Sequence, residues 1–211
     1  SVMTGAPVPA GADAVVMVER TSGFGKPEVT VDEAVERGKN LSPQGEIFRE
    51  GQTMLEAGKL VGVEEVALLA TIGCDPVPVY PLPTVAVLAT GDELVPVGER
   101  PGPSQIRNSN GPSMAAFLAG LGLAPVDLGA APDDQAALRA ALERGLEHDC
   151  LLVSGGVSAG AYDFVEDVLD DLGVAVHFRR AAIKPGKPSV FGTAGDKMIF
   201  GLPGNPVSTM V

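Results

Sequence analysis

The stretch "TVAVLATGDEL", residues 84–94, decides the fold class of this chain. Its apolar run from Val85 to Ala89 is uninterrupted and is bounded by turn-forming residues, which is typical of a short strand that is buried on both faces. Such a strand needs a layer of helices on each side of its sheet. The polar residues Gly91, Asp92 and Glu93 then fall at the carboxyl end of the strand.

The sequence beyond this stretch alternates between strand-like and helix-like segments. Strands are predicted at "PVDLG" (125–129), "CLLVSGG" (150–156), "VAVHF" (174–178) and "KMIFGLP" (197–203). Between them, apolar residues recur at helical spacing and predict three helices, with inward faces formed by Met114, Phe117, Leu118 and Leu121, by Leu138, Leu142 and Leu146, and by Phe164, Val165, Val168, Leu169 and Leu172. Residues 81–211 are therefore predicted to form an α/β domain, a mostly parallel sheet covered by helices on both faces.

The residues before this domain have a different texture. Residues 1–44 are rich in glycine, proline and valine, and the runs "DAVVMVE" (13–19) and "EVTVD" (28–32) predict a small irregular β module. Residues 45–80 read as a connecting segment, with a helix at "GVEEVALLATIG" (62–73) and a short strand at "VPVY" (77–80). The prolines within residues 81–83 predict the joint between this connecting segment and the α/β domain.

Charge and composition limit the class of partner. The formal net charge is −12 and aromatic residues make up 4% of the chain, so neither a nucleic acid nor an anionic membrane is an expected partner. The two cysteines, Cys74 and Cys150, are far apart and form no CxxC pair. We therefore expect reduced thiols in a cytoplasmic protein.

Polar or glycine-rich segments follow three of the predicted strands, at 90–94, 154–164 and 201–208. In parallel sheets ligands bind beyond the carboxyl ends of the strands, so these segments are expected to converge. Two of these segments contain loops that could bind a ligand. The first loop, "SGGVSAG", offers backbone amides and hydroxyl groups that suit an anion. The alternative is that this loop is only a turn whose backbone requires glycine. In the second loop, "LPGNPVS", prolines stiffen a turn in which Asn205 and Ser208 can cap a helix or bind a ligand.

Carboxylates and two lysines are expected near the same edge of the sheet. Carboxylates beside a phosphate site usually hold Mg²⁺, and the candidates are Asp92, Glu93, Asp133 and Asp163, with solvated helix caps as the alternative reading. In "IKPGKP" each lysine, Lys184 and Lys187, precedes a proline, so both are predicted to sit on a stiff turn that presents positive charge to an oxyanion.

Taken together, these segments resemble the molybdopterin molybdenumtransferase (MoeA-type) family, which includes the C-terminal part of gephyrin. The matching stretches are "TGAPVPAGADAVVMVE" (4–19), "VAVLATGDELVPVG" (85–98), "QIRNSNGPSMAAFL" (105–118), "DDQAALRAAL" (133–142), "LLVSGGVSAGAYDFV" (151–165), "AIKPGKPSVFG" (182–192) and "FGLPGNPVS" (200–208). The resemblance implies that molybdate is inserted into adenylylated molybdopterin with release of AMP, in a Mg²⁺-dependent step.

The same resemblance implies roles for individual residues. It implies catalytic roles for Glu93, Asp133, Asp163, Lys184 and Lys187, with Glu93 and Asp163 as metal ligands. The implied substrate-binding residues are Thr4, Thr90, Gly91, Asp92, Ser154, Gly155, Gly156, Ser158, Gly160, Pro203, Gly204, Asn205 and Pro206. It also implies a homodimer in which the β module of one subunit, with Thr4, completes the cleft of the other. A transient contact with the molybdopterin adenylyltransferase is a further implied partnership.

Two departures from the family pattern keep alternatives open. Ser42, Pro43 and Ile47 in "SPQGEIF" stand where the family usually has arginine and acidic residues, and Asn108 stands where it often has aspartate. A non-catalytic pterin-binding or scaffold homologue is therefore one alternative. A molybdopterin adenylyltransferase-like enzyme is another, although the "TGAPVPAGADAVV" block (4–16) is the transferase's own signature. The family's C-terminal β domain and an N-terminal segment are absent from this sequence, so we expect it to be a fragment.

Overall fold

The structure is a computed structural model that describes residues 1–23, 25, 27–157 and 164–211. The chain divides into two compact units, Ser1–Pro78 and Val79–Val211. This division falls just before the proline-rich joint at 81–83. The finer division at residue 44 stays a prediction.

The first unit contains little regular structure. In its described part there is a 3-10 turn at Val18–Arg20, one β-bridge between Thr21 and Val31, and one α-helix, α1 (Val63–Thr71). Helix α1 begins at the predicted place, and its entry is held by the Gly62 amide, which donates to a Glu65 carboxylate oxygen at 3.0 Å. The prediction of a strand at 77–80 is wrong, because these residues pair with no strand in the described part of the chain. The prolines on either side of Val77 lack the amide donor that a ladder needs.

The second unit holds all the strands of the described chain. They are β1 (Val85–Thr90), β2 (Leu94–Val95), β3 (Ile106–Arg107), β4 (Val126–Ala131), β5 (Cys150–Ser154), β6 (Ala175–Phe178), β7 (Val190–Ala194) and β8 (Lys197–Leu202). The helices between and after them are α2 (Asn110–Gly120), α3 (Gln135–Gly145), α4 (Val165–Asp171) and α5 (Pro206–Met210).

The main sheet has six strands in the order β4-β1-β5-β8-β7-β6. Its first four strands are parallel, whereas β7 pairs antiparallel with both β8 and β6. The predicted class, a mostly parallel α/β sheet, is confirmed. Strand β7 was not predicted, and it arises because the two-residue turn of Gly195 and Asp196 folds it directly back onto β8 as a hairpin. The short strands β2 and β3 form a separate parallel pair.

Helices cover both faces of the sheet, as β1 shows residue by residue. Ala86 and Leu88 pack into one buried cluster with side chains of α3 and α4, whereas Val85 and Val87 pack into a second cluster with Met114 of α2. This is the alternation that a strand buried on both faces requires. None of the described helices is long or apolar enough to span a bilayer.

The predicted inward faces are mostly confirmed. Leu138, Leu142, Val165, Val168 and Leu169 are buried, and Leu146, Phe164 and Leu172 pack against them. Of the four residues predicted to face inward from α2, Met114 and Leu118 are buried, whereas Phe117 is 57% exposed and Leu121 is 61% exposed. Phe117 lies about 100° around the helix axis from Leu118, and Leu121 follows the last helical residue.

Candidate functional site

A cleft of about 490 Å³ lies at the carboxyl ends of the parallel strands, within the second unit. We call it the strand-end cleft. It is lined by residues that follow β1 and β5, by the last loop before α5, and by the β3–α2 junction: Thr90, Gly91, Glu93, Leu94, Ile106, Arg107, Asn108, Ser109, Asn110, Asp133, Ser154, Gly155, Gly156, Val157, Pro188, Pro203, Gly204, Asn205, Pro206 and Ser208. The structure thus brings together the segments that the sequence predicts at this edge. Its volume suits a small-molecule ligand.

The glycine loop after β5 packs directly against the end of β1. A side chain at Gly155 would place its Cβ atom 2.6 Å from the backbone oxygen of Thr90, and one at Gly156 would come within 3.0 Å of the Thr90 hydroxyl. Both glycines have positive φ angles, +92° and +65°, which L side chains rarely adopt. Glycine is therefore required here both by the backbone conformation and by close packing.

Two buried hydroxyl groups at this junction have no hydrogen-bond partner among the residues that the structure describes. They are Thr90 Oγ1, at the end of β1, and Ser154 Oγ, at the end of β5. Most buried polar side-chain atoms in proteins are paired, so an unpaired pair beside a cleft is unusual. These atoms are donors and acceptors that a polar ligand can use.

The loop before α5 is fixed at both ends. Asn205 Oδ1 accepts hydrogen bonds from the amides of Val207 and Ser208, at 3.0 and 3.4 Å, and so caps α5. Asn110 Nδ2, at the start of α2, donates to the Gly204 carbonyl oxygen at 2.8 Å. Asn205 was predicted to cap or bind, whereas the role of Asn110 was not predicted. The loop is therefore positioned from two helices at once.

The predicted carboxylates fall into two groups. The Glu93 carboxylate lies over the backbone of Gly91 and lines the cleft. Asp92 and Asp133 instead brace each other: the Asp133 amide donates to Asp92 Oδ1 at 3.0 Å, and the Asp92 amide donates to Asp133 Oδ2 at 3.4 Å. Asp133 also lines the cleft, so it combines a bracing role with access to a ligand.

No group of three or more His, Cys, Asp or Glu side chains is placed to hold a metal ion, as far as the chain is described. Glu93 and Asp133 nevertheless supply carboxylate oxygens to a cleft that also offers amides and hydroxyls. Mg²⁺ commonly takes one or two carboxylates together with substrate phosphate oxygens. The residues present are therefore compatible with a metal that binds with its substrate.

The lysine turn borders the strand-end cleft, although its lysines do not line it. Gly186, between them, packs near the Ser208 backbone oxygen, and Pro188 lines the cleft, whereas Lys184 and Lys187 are exposed and absent from the described lining. The turn is held by hydrogen bonds from the Ala181 amide to the Lys187 carbonyl oxygen and from Ser189 Oγ to the Gly186 carbonyl oxygen.

Other predicted residues stand apart from this geometry. Ser158, Gly160 and Asp163 lie outside the described residues, and Thr4 belongs to the first unit. Conversely, the cleft contains Arg107 and Asn108, which were not among the predicted site residues. Asn108 is 8% exposed, and its Oδ1 accepts a hydrogen bond from the Gly111 amide at 3.0 Å, at the start of α2. An aspartate at this position would offer the same acceptor.

Comparison with known families accounts for nearly all of the chain. Residues 86–211 match the family described as "Probable molybdopterin binding domain", and residues 1–73 match the "MoeA N-terminal region (domain I and II)". The strand-end cleft lies wholly within the first of these matches.

Individual relatives carry related names. The molybdopterin molybdenumtransferase of Bacillus subtilis (strain 168) is 38% identical over 214 residues, in an alignment that covers 100% of this chain and 50% of that protein. Molybdopterin molybdenumtransferase 2 of Mycobacterium tuberculosis (strain H37Rv) is 39% identical over 216 residues, with 100% and 53% covered. The chain therefore spans about half the length of the relatives it matches.

The solved structures that this chain resembles include MoeA proteins. A crystal structure of a molybdopterin biosynthesis MoeA protein from Pyrococcus horikoshii superposes with a TM-score of 0.73 at 32% identity, covering 96% of this chain and 50% of that one. A second crystal structure of a MoeA protein from that organism gives a TM-score of 0.76 at 28% identity, covering 99% and 50%.

Proposed function

Since the chain belongs to the MoeA family of molybdopterin molybdenumtransferases, we propose that it takes part in inserting molybdate into adenylylated molybdopterin, with release of AMP. The proposal concerns the full-length protein, of which this chain corresponds to about half the length of its relatives. Adenylylated molybdopterin and molybdate are the proposed substrates.

The observation that carries the proposal is the pair of buried hydroxyls, Thr90 Oγ1 and Ser154 Oγ, at the strand-end cleft. Gly155, the residue after Ser154, packs its backbone so closely against Thr90 that any side chain there would clash with it. Glycine-rich turns at the carboxyl ends of parallel strands favour phosphate groups, because backbone amides can approach the anion closely. A phosphoanhydride such as that of adenylylated molybdopterin suits this arrangement.

The carboxylates are proposed to act with Mg²⁺. Glu93 and Asp163 would hold the ion, and Asp133 would keep the Asp92 loop in place while facing the substrate. When bound, Mg²⁺ would offset negative charge on the phosphoanhydride oxygens. Lys184 and Lys187, on the turn that borders the cleft, are the proposed partners of the molybdate oxyanion.

The first unit supports a proposed homodimer. None of the residues described between Ser1 and Pro78 is buried, and Met3, Ile47, Leu60 and Val63 are each at least 83% exposed. A unit of this size without buried side chains is not expected to be stable unless another surface covers it. We propose that a second copy does so, and that Thr4 then reaches the cleft of the partner.

Two further assignments belong to the proposal. A transient contact with the molybdopterin adenylyltransferase would deliver the adenylylated substrate. A cytoplasmic location is proposed because Cys74 and Cys150 are free thiols, and the cytoplasm keeps thiols reduced.

The proposal is tested by giving the full-length protein adenylylated molybdopterin, molybdate and Mg²⁺ and measuring AMP. We expect AMP release that depends on molybdate. Binding of the pterin without AMP release would favour the scaffold homologue, for which the "SPQGEIF" departure is the specific observation. Adenylylation of molybdopterin from ATP would favour the adenylyltransferase.

The lysine turn gives a sharper variant of this assay. We expect Lys184→Ala to slow molybdate-dependent AMP release by about 2–4 kcal/mol of transition-state stabilisation, roughly 30- to 900-fold, because a charge contact to the oxyanion is lost. The side chain is exposed, so the melting temperature should hardly change. Equal losses of activity and stability would mean that Lys184 is structural.

A further inference from the structure

Arg107 is the one positively charged residue in the described lining of the strand-end cleft. It lies in the short strand β3, whose pairing with β2 places it opposite Val95. The neighbouring Ile106 amide donates to the Glu93 carbonyl oxygen at 2.8 Å, and the Asn108 amide donates to the Val95 carbonyl oxygen at 2.9 Å. The backbone that carries the arginine is therefore hydrogen-bonded on both sides.

The guanidinium group is oriented by one hydrogen bond. Arg107 Nε donates to the Val97 carbonyl oxygen at 3.0 Å, which uses the nitrogen nearest the chain and fixes the edge of the planar group. The ion pairs found in the described part of the molecule do not include Arg107. Its two terminal nitrogen atoms thus remain available for a ligand.

Arg107 lies among negatively charged residues in the described lining of the cleft. The other charged residues of the described lining, Glu93 and Asp133, are both acidic, and the whole chain carries a formal net charge of −12. An anion that enters such a cleft needs a local positive charge. The exposed lysines of the 184–187 turn border the cleft but are outside the described lining, so the positive charge within that lining is carried by Arg107.

We propose that Arg107 binds an oxyanion of the cleft ligand through its two terminal nitrogen atoms, in a subsite separate from the lysine turn. The inference rests on the proposed function in taking the strand-end cleft as the ligand site. Guanidinium groups match two oxygens of a phosphate or similar tetrahedral anion in one plane. The ligand chemistry is therefore a tetrahedral oxyanion, supplied either by the phosphates of the adenylylated pterin or by molybdate.

The test uses isothermal titration of the full-length protein with three separate probes: inorganic pyrophosphate, AMP and molybdate. Arg107→Gln removes the charge and keeps much of the side-chain length, Arg107→Lys keeps the charge without the planar fork, and Arg100→Gln is the matched control. Arg100 is exposed, lies between β2 and β3, and is outside the described lining. The circular dichroism spectrum of each variant checks that it folds.

We expect Arg107→Gln to lower the affinity for at least one probe by about 10- to 100-fold. Arg107→Lys should lower that affinity less, and Arg100→Gln should leave it unchanged. If only the affinity for molybdate falls, the oxyanion that Arg107 binds is molybdate. If only the affinity for pyrophosphate or AMP falls, that oxyanion is a phosphate. Should Arg107→Gln itself fail to fold, the comparison of Arg107→Lys with Arg100→Gln decides.

Three results would overturn the inference: no probe binds the unaltered protein, Arg107→Gln binds as tightly as the unaltered protein, or Arg100→Gln loses as much affinity as Arg107→Gln. Failure of the proposed function has a different signature. If the unaltered protein releases no AMP from adenylylated molybdopterin, yet binds a probe through Arg107, the proposed reaction is wrong and the anion subsite stands.

Discussion

At the scale of single residues, Gly91 shows how the backbone prepares the cleft. Its φ angle is +143°, and its amide donates to the Ala131 carbonyl oxygen at 3.1 Å. A Cβ atom at this position would lie 2.8 Å from the Glu93 carboxylate carbon. The absence of a side chain at Gly91 therefore lets the Glu93 carboxylate fold back over the loop.

We expect Gly91→Ala to displace the Glu93 carboxylate and to destabilise the protein by about 1–3 kcal/mol, because the backbone conformation disfavours a Cβ atom. Thermal unfolding measures the second effect, and a crystal structure of the variant measures the first. Gly98→Ala is the control, since its Cβ would meet no atom within 4 Å. Equal melting temperatures for the two variants would contradict this account of Gly91.

Sequence patterns predicted most of the residues that the cleft brings together, because glycines, prolines and carboxylates after buried strands are visible in the sequence. Arg107 escaped prediction because β3 has only two residues and leaves no periodic signal. The hydrogen bonds between the Asp92 and Asp133 loops were not predicted for a different reason. Hydrogen bonds between loops 41 residues apart depend on how the strands pair, which local sequence does not contain.

At the scale of elements, a contact at the opposite end of the sheet joins the starts of β1 and β5. The amide and hydroxyl of Thr84 donate to Asp149 Oδ2 at 2.7 and 2.8 Å, and the Asp149 amide donates to Thr84 Oγ1 at 3.0 Å. The hydrogen bonds to the carboxylate hold the pKa of Asp149 below its ordinary value of 3.8, and the bond from the Thr84 amide has the largest effect. The negative charge of Asp149 therefore stabilises the pairing of two central strands.

This contact predicts a dependence of stability on pH. The folded pKa of Asp149 lies below the unfolded one, so its contribution is fully present above the unfolded pKa and is lost as the pH falls through the lower folded value. We expect the free energy of unfolding in urea to fall less between about pH 5 and about pH 2.5 in Asp149→Asn than in the unaltered protein.

The control for this measurement is Asp196→Asn, in the exposed turn between β7 and β8. It should follow the pH dependence of the unaltered protein. An Asp149→Asn variant that shows that same dependence would contradict the assignment.

Elements were predicted in proportion to their regularity. The buried strands and the helices α3 and α4 followed from apolar runs and helical spacing, and the structure has them where expected. The exposure of Phe117 and the antiparallel hairpin of β7 were missed. The exposure of Phe117 depends on which neighbour covers α2, which is settled only once the sheet has assembled. The hairpin, in contrast, has a local signal in the two-residue turn of Gly195 and Asp196, which was not recognised.

At the scale of the whole molecule, regular structure and burial are unevenly distributed. The sheet, its two buried clusters and the strand-end cleft belong to the unit Val79–Val211, whereas the described part of Ser1–Pro78 has exposed apolar side chains and no buried ones. A β-like texture without buried side chains could not reveal the architecture of this first unit.

A crystal structure of the full-length protein with AMP can decide whether the substrate binds in the strand-end cleft. We expect the AMP phosphate to lie in the strand-end cleft, within hydrogen-bonding distance of Thr90 or Ser154. AMP bound elsewhere, for example in the hollow of about 440 Å³ lined by Phe48, Arg49 and Ile72, with the strand-end cleft empty, would contradict it.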